Sequence, residues 1–279
     1  MRSRNLLILI PVLILVFAIS MLSYHYLKFG SFIDKDVELT GGMTIMVDTN
    51  QSVDINQLEK LLPNTFIRIA SSNSKNTIII QTQSTTDEEK NKILNTLESV
   101  VSFDKETVTI GKVDPVVGDI FWRQAKIAIF LAFVFMASVV FLLFRSVAPS
   151  TAVILAAFSD IISTIAVMDI LGIRLSLATL AALLMLIGYS IDTDILLTTR
   201  MLKRQGTFEE KLKSAMKTGL TMNATSLSAL LSIFLFSQNF VLEQIALVLI
   251  IGLLIDLPNT WIQNAEILKI WLKRKGRYS

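Results

Sequence analysis

The sequence predicts an α-helical membrane protein with six transmembrane helices and one extracytoplasmic α+β domain, of the ferredoxin-like (βαββαβ) plan, between the first two spans. Three observations predict this class. The mean hydropathy of the 279 residues is +0.60 and only 18% of them are charged. Six apolar runs are long enough for a bilayer core of about 30 Å, which needs roughly 20 helical residues. One polar stretch with alternating strand and helix patterns separates the first run from the other five.

The first apolar run extends from Asn5 to Leu27 and follows a basic start of the chain. It is longer than the hydrophobic region of a signal peptide, and no Ala-x-Ala cleavage pattern follows it. Pro11 lies in its first turns, where a missing backbone N–H costs little. We therefore expect this run to be a retained membrane anchor.

The other five apolar runs follow one another closely after residue 123. They are Ile127–Phe144, Ala148–Leu171, Leu175–Thr199, Leu220–Phe236 and Val241–Ile262. Lys and Arg in the short loops set the orientation of such a bundle. Basic residues are concentrated in the segments that are cytoplasmic if the N-terminus is inside, and the short loops on the other side hold only Arg174. Both termini are therefore expected in the cytoplasm and the polar domain outside it, in a multi-pass protein of the cell membrane.

The polar stretch predicts the order β-α-β-β-α-β. The predicted strands are Met43–Asp48, Phe66–Ala70, Thr77–Thr82 and Glu106–Val113, and the predicted helices are Asp54–Leu62 and Thr86–Val101. Asp54 and Thr86 are the N-cap residues, because each precedes a helical pattern and has Gln or Glu three residues later. This order is that of the ferredoxin-like fold. The fold hosts many functions and assigns none, so docking is the default expectation for this domain.

These patterns divide the chain into four parts. Residues 1–27 are the cytoplasmic N-terminus and first span, 28–122 the extracytoplasmic domain with its connectors, 123–265 spans two to six, and 266–279 a basic cytoplasmic tail. The chain has no Cys and one His, His25, so neither a disulfide nor a transition-metal site is expected. No cofactor is expected. A basic tail beside a membrane span is expected to meet solvent and lipid headgroups rather than nucleic acid.

Carboxylates inside the apolar runs are the sharpest functional signal, because a charge at the bilayer centre costs at least about 3 kcal/mol. Asp160 lies in the third run, Asp192 and Asp194 in the fourth, and Asp256 in the sixth. Glu243 is near the outer end of the sixth run and is interpreted as interfacial. A second interpretation applies to Asp256, whose carboxylate could form hydrogen bonds with backbone groups near Pro258.

Asp192 and Asp194 are two residues apart and therefore point about 200° apart on a helix. One of them is expected to face the bundle and to meet Asp160 or the polar side chains of the fifth run, among them Asn223. Neighbouring carboxyl groups in a low-dielectric site are candidates for a proton relay. The alternative is a packing network of polar and small side chains, and the sequence leaves both open.

Four short motifs carry a resemblance to a known family. The segment from Glu38 to Gly42 reads E-L-T-G-G, and the segment from Gly188 to Asp194 reads G-Y-S-I-D-T-D. Ser159-Asp160 lies in the third run, and a T-S-L triplet begins at Thr225. These motifs are similar to the D-F-T-G-G, G-Y-S-I-N-D-T, H-D and T-S-L elements of the SecD/SecF protein-export family. The motif residues of greatest interest are Gly41, Gly42, Gly188, Tyr189 and Ser190.

The resemblance covers nearly the whole chain and implies a non-enzymatic SecF-like subunit in the resistance–nodulation–division superfamily. Such a subunit pairs with a SecD-like six-span subunit and assists Sec-dependent protein translocation across the cell membrane. The implied partners are that subunit, a SecY-type translocation channel, the translocating polypeptide and membrane lipid. In bacteria the pair is thought to use the proton gradient.

The chain departs from the bacterial pattern at two positions. When it is aligned on G-Y-S, the bacterial Asp falls on Thr193, and an Arg of the bacterial fifth span falls on Thr221. The D-T-D form is more similar to archaeal members, and whether protons are coupled stays open. The candidates for a relay or for polar contacts within the bundle are Asp160, Asp192, Asp194, Thr221, Asn223 and Asp256.

Two other function classes compete with export. A stand-alone homodimeric proton-driven exporter of small molecules or lipids would use the same carboxylates, but such exporters usually carry two six-span halves in one chain. An intramembrane enzyme is not expected, because the spans contain no Ser/His pair, no His/Glu metal set and no G-x-G-D motif.

Overall fold

The computed structural model describes residues 8–51, 53–72, 75–237 and 239–275. Residues 1–7 and 276–279, which include the start of the expected anchor and the end of the basic tail, lie outside the described residues. The first described elements are α1 (Leu9–Phe29) and a single helical turn, α2 (Val37–Thr40). A sheet domain follows, made of β1 (Gly42–Thr49), α3 (Ile55–Leu61), β2 (Phe66–Ser72), β3 (Lys75–Thr82), α4 (Asp87–Val100) and β4 (Thr109–Val113).

The sheet is antiparallel, with the strand order β2-β3-β1-β4. Successive side chains of a strand point to opposite faces, and Met43, Ile45 and Val47 of β1 are fully buried on one of them. They pack with Leu58 of α3 and Leu97 of α4. Both helices therefore cover the same face of the sheet, and the core of the domain lies between that face and the helices.

The remaining helices form the rest of the membrane bundle. They are α5 (Pro115–Phe144), α6 (Val147–Ile170), α7 (Leu177–Lys203), α8 (Phe208–Phe236) and α9 (Phe240–Pro258), which continues through a π-helical turn (Asn259–Asn264) into α10 (Ala265–Arg274). With α1 they provide six helical segments, within the described ranges, that are long and apolar enough to cross a membrane. The predicted number of spans is confirmed, although α5 begins at Pro115 rather than at Ile127.

Burial is uneven across the bundle. Of the most apolar 18-residue window of each span, 61% is buried in α6 and 50% in α7, but only 11% in α5 and 17% in α8. The helices α6, α7 and α9 therefore form the centre, while α5 and α8 turn most of their surface outward. This arrangement decides which of the intramembrane polar groups can meet one another.

A short joint fastens the segment before the sheet domain to the start of α7. Lys35 and Leu175 form a parallel β-bridge. The backbone N–H of Asp36 donates to the carbonyl of Leu175, and the N–H of Leu175 donates to the carbonyl of Asp34, both at 2.8 Å. The Asp36 carboxylate also accepts two 2.8 Å contacts from Nε2 of Gln81 in β3. The joint thus holds the sheet and the beginning of α7 together.

Glu38 adds a side-chain contact to this joint. Its Oε2 accepts a 2.9 Å hydrogen bond from the backbone N–H of Leu177, one of the first-turn donors of α7 that lack a partner inside the helix. Burial raises the pKa of the Glu38 carboxyl group, and the bond from Leu177 opposes that rise. The first residue of the E-L-T-G-G motif therefore caps a membrane helix.

The two glycines of the motif occupy positions at which a larger residue would clash with neighbouring backbone. Gly41 has φ +80°, and a Cβ on it would lie 2.4 Å from the Cα of Pro115 at the start of α5. Gly42 has φ +141°, and its Cβ would lie 2.3 Å from the carbonyl oxygen of Thr82. Both positions need glycine for conformation and for space.

We expect Gly41→Ala to destabilise the junction of domain and bundle much more than Gly30→Ala. Both residues have a positive φ, but a Cβ on Gly30 meets nothing within 4 Å. The Gly30 variant should lose only the conformational term, about 1–2 kcal/mol, whereas the Gly41 variant must also displace backbone. Thermal unfolding in detergent and limited proteolysis of the sheet domain measure the difference, and equal melting temperatures would contradict this account.

Candidate functional site

Three carboxyl groups are buried inside the bundle, one on each of the central helices. Asp160 of α6, Asp194 of α7 and Asp256 of α9 are each 0% exposed. Their hydrogen-bond partners come from α7, α8 and the π-helical turn, so the carboxyl groups and their donors form one network. We call this network the acid cluster.

Asp160 is held from two sides. Its Oδ2 accepts a 2.5 Å hydrogen bond from the hydroxyl of Ser190, and its Oδ1 accepts a 2.6 Å bond from Nδ2 of Asn259. Ser190 is the serine of the G-Y-S motif, and it is fully buried. The motif serine therefore serves as a hydrogen-bond donor to the carboxylate of the third span.

The other two carboxyl groups share a donor. Oδ1 of Asp194 accepts from Nδ2 of Asn264 at 2.7 Å and from the Thr260 hydroxyl at 3.0 Å. The same hydroxyl lies 2.9 Å from Oδ1 of Asp256. Oδ2 of Asp256 faces the Thr193 hydroxyl at 3.1 Å and Nδ2 of Asn223 at 3.4 Å. Thr260 thereby joins the fourth and sixth spans through their carboxyl groups.

The hydroxyl groups of this network have fewer protons than the oxygen atoms that they face. A hydroxyl has one proton, yet Thr260 faces two carboxyl oxygens, and Thr193 faces both Asp256 and the carbonyl of Ser190, the latter at 2.9 Å. Each hydroxyl can serve both neighbours fully only if a carboxyl group supplies a proton of its own. The geometry therefore fits a cluster that holds at least one exchangeable proton.

The partners of the three carboxyl groups are neutral hydroxyl and amide groups. Several buried charges without a countercharge are costly, so ionisation of all three carboxyl groups at once is disfavoured. Within the described ranges, no group of three or more His, Cys, Asp or Glu side chains is arranged to hold a metal ion.

The π-helical turn supplies the donors that sequence reasoning missed. Asn259, Thr260 and Asn264 are all 0% exposed and all point into the acid cluster. A π-helical segment changes the phase of a helix, and such segments are frequent at functional sites. The available signal was the polar run N-T-W-I-Q-N directly after Pro258, at the end of an otherwise apolar span.

The structure brings together only some of the candidates. Four of them, Asp160, Asp194, Asn223 and Asp256, lie in the cluster. The carboxylate of Asp256 therefore accepts hydrogen bonds from side chains, and not only from backbone groups near Pro258. Asp192 is exposed and lies outside it. Asp194, not Asp192, is the one that faces the bundle, because two positions along the helix correspond to about 200° of rotation.

Thr221 is also exposed and lies outside the cluster, and its hydroxyl donates only to the carbonyl of Lys217 in its own helix. The residues of the G-Y-S-I-D-T-D motif divide between two surfaces of α7. Ser190 is in the cluster, while Gly188 and Tyr189 lie on the exposed side with Asp192. Gly41 and Gly42 belong to the joint and not to the cluster.

Comparisons with known proteins agree on one family. Residues 92–274 match the model for the C-terminal part of the protein-export membrane proteins SecD and SecF. The protein-export membrane protein SecF of Methanolacinia petrolearia is 38% identical over 271 residues, covering 96% of this chain and 94% of that protein. SecF of Pyrococcus furiosus is 41% identical over 287 residues, covering 97% and 92%, and SecF of Methanocaldococcus jannaschii is 39% identical over 273 residues, covering 95% and 94%.

The fold is also similar to a solved structure. The crystal structure of SecDF, a translocon-associated membrane protein from Thermus thermophilus, superposes with a TM-score of 0.76 at 20% sequence identity. The match covers 95% of this chain but only 37% of that SecDF chain. The present chain therefore corresponds to one part of a longer molecule of that type.

We expect Thr260→Val to destabilise the protein by about 1–3 kcal/mol, because it removes the hydroxyl between two buried carboxyl groups and leaves them short of a donor. Thr221→Val is the matched control, since it removes an exposed hydroxyl from a neighbouring span and should cost less than about 0.5 kcal/mol. Thermal unfolding of both variants in the same detergent provides the measurement. A Thr260 variant as stable as the control would show that the shared hydroxyl is dispensable.

Proposed function

Since the chain belongs to the SecD/SecF family of protein-export membrane proteins, we propose that it is the SecF-type subunit of a SecD–SecF complex that assists Sec-dependent protein translocation across the cell membrane. The similarity to archaeal SecF proteins extends over nearly the full length of the chain. In this role it has no catalytic activity of its own. Its partners are a SecD-like six-span subunit, a SecY-type channel and the translocating polypeptide.

One observation carries the proposal of a partner subunit, namely a polar surface left open at membrane depth. Gly188 and Asp192 are four residues apart on α7 and so share a face, and both are exposed. On α8, Thr221, Thr225 and Ser228 are exposed as well. We call these five residues the open polar face. In hydrocarbon, the Asp192 carboxylate needs protein or water beside it, while the three hydroxyls donate to backbone carbonyls of their own helix.

The chemistry of the open polar face fits another helix. Small and hydroxyl-bearing residues let helix backbones approach closely in membranes and provide hydrogen bonds between helices. A Cβ on Gly188 would meet nothing within 4 Å, so a partner helix has room there. A groove of about 600 Å³ adjoins the face and includes Tyr189, Thr225 and Ser226 in its lining.

We place both termini in the cytoplasm and the sheet domain outside it. The excess of Lys and Arg in the loops opposite the domain supports this orientation. The antiparallel order β2-β3-β1-β4 with both helices on one face supports the ferredoxin-like plan. On this basis the chain divides into residues 1–27, 28–122, 123–265 and 266–279, as the sequence suggests.

The acid cluster is the proposed site at which a proton gradient acts on this subunit. Asp160, Asp194 and Asp256 would carry the protons, and the hydroxyl of Thr260 would pass them between the fourth and sixth spans. Thr193 and Thr221 fall on the positions of the bacterial Asp and Arg, so in this proposal bound protons limit the negative charge of the cluster, and neutral donors stabilise what remains of it without an Arg.

We expect Asp160→Asn and Asp194→Asn to reduce secretion several-fold, because an amide cannot exchange a carboxyl proton. Glu243→Gln, in the first turn of α9 and outside the cluster, should leave secretion close to that of the wild type. Secretion of a reporter in cells that depend on each variant, at matched membrane levels, is the measurement. Wild-type secretion by all three variants would remove the proton-relay proposal but not the export role.

The open polar face can be tested by cysteine cross-linking, since the chain has no native Cys. We expect Ser228→Cys to cross-link to a second six-span protein, and Ser138→Cys on α5 to give no such product. The two serines are well matched, because both are exposed and each hydroxyl donates to the carbonyl four residues earlier. Cross-links only between two copies of this chain, with no second protein recovered, would favour the homodimeric exporter.

A further inference from the structure

A second opening into the bundle lies between α1 and α5, away from the acid cluster. It is a crevice of about 300 Å³ whose lining includes Leu22 of α1, Trp122 and Ile129 of α5, Ile165 of α6 and Leu183 of α7. Nearly all of its wall is apolar. A cavity of about 150 Å³ with apolar walls can take up benzene, so this crevice has room for a longer hydrocarbon.

The packing of the helices explains why the crevice exists. The helix α1 packs mainly against α6, where Ala18 and Leu22 meet Ala166. The helix α5 packs against α6 and α7. The helices α1 and α5 thus pack against different sides of α6, and a gap remains between them on the outer surface of the bundle. The wall of the crevice, as formed by the described residues, contains no carboxyl group and is almost entirely apolar, in contrast to the open polar face.

Two lysines lie beside the crevice, each against the ring of its lining residue Trp122. Nζ of Lys35 lies 4.6 Å from the centre of the Trp122 ring, and Nζ of Lys126 lies 5.3 Å from it. Among the ion pairs of the described residues, none involves either lysine. Their positive charges are therefore available to a ligand.

Among the described residues, neither of the acidic residues beside Lys35 forms an ion pair with it. The carboxylate of Asp36 is bonded to Gln81, and Oδ1 of Asp34 lies 3.5 Å from Nε2 of His25. Lys35 itself forms the β-bridge with Leu175, which also contributes to the wall of the crevice. The crevice thus lies directly beside the joint that connects the sheet domain to α7.

We propose that this crevice binds one anionic phospholipid from the leaflet on the side of the sheet domain. One hydrocarbon chain fills the crevice, and the phosphate lies between Lys35 and Lys126. Trp122 lies between the start of α5 at Pro115 and the apolar run that begins at Ile127, a place that fits the enrichment of tryptophan at headgroup level. The bound lipid contacts the joint through Lys35 and Leu175, so it supports the attachment of the sheet domain.

The test uses the full chain in non-ionic detergent and native mass spectrometry with added phosphatidylglycerol or phosphatidylcholine. We expect the wild type to retain one phosphatidylglycerol in preference to phosphatidylcholine. The double variant Lys35→Gln/Lys126→Gln should bind phosphatidylglycerol at least about tenfold more weakly, since each lysine near a membrane surface contributes about a factor of five. Unchanged retention by this variant would overturn the proposal.

Two further variants test whether the position of the lysines and the crevice itself are both needed for lipid binding. Lys60→Gln/Lys92→Gln removes the same charge from exposed positions of the sheet domain and should bind the lipid as the wild type does. Ser23→Trp fills the crevice from an exposed lining position and should reduce the retention of phosphatidylglycerol although both lysines remain. Displacement of the lipid by millimolar inorganic phosphate alone, or full retention by the Ser23 variant, would show that the hydrocarbon crevice is not the binding site.

Discussion

A carboxyl group inside a bilayer must have hydrogen-bond donors, protein cover or a proton, and this constraint explains much of the bundle. Asp160, Asp194 and Asp256 come from three different helices, and each is fully buried. Their donors could reach them only if α6, α7 and α9 pack at the centre. The π-helical turn after Pro258 then brings Asn259, Thr260 and Asn264 to the same point.

The joint gives the sheet domain a fixed relation to the helix that carries much of the acid cluster. Asp36 and Glu38 connect the sheet and the N-terminal turn of α7, and Asp194 lies seventeen residues beyond Leu177 on the same helix, about 26 Å away at 1.5 Å per residue. Gly41 and Gly42 allow the chain to pass between the sheet and the start of α5 at this point. The E-L-T-G-G motif is thus a structural fastening and contributes no group to the cluster.

The sequence predicted those features that depend on periodicity, length and local capping. The six apolar runs, the order of strands and helices, and the N-caps Asp54 and Thr86 are all found in the structure. It could not predict the phase of α9 after Pro258, because a π-helical turn depends on tertiary packing rather than on local propensity. For the same reason Thr260 was missed, and Asp192 and Asp194 could not be told apart. The contact of Glu38 with Leu177 spans 139 positions of the chain, and no local pattern encodes it.

The two openings of the bundle toward the membrane differ in a way that decides what can occupy them. Along the open polar face, the carboxylate of Asp192 requires protein or water beside it, which hydrocarbon chains do not offer. The wall of the crevice between α1 and α5 is almost entirely apolar, and a helix inserted there would gain little, because lipid tails are as apolar as its side chains. The lysines beside Trp122 are the basis for proposing a negative headgroup there. Protein is therefore favoured at one opening and lipid at the other, on the basis of wall chemistry alone.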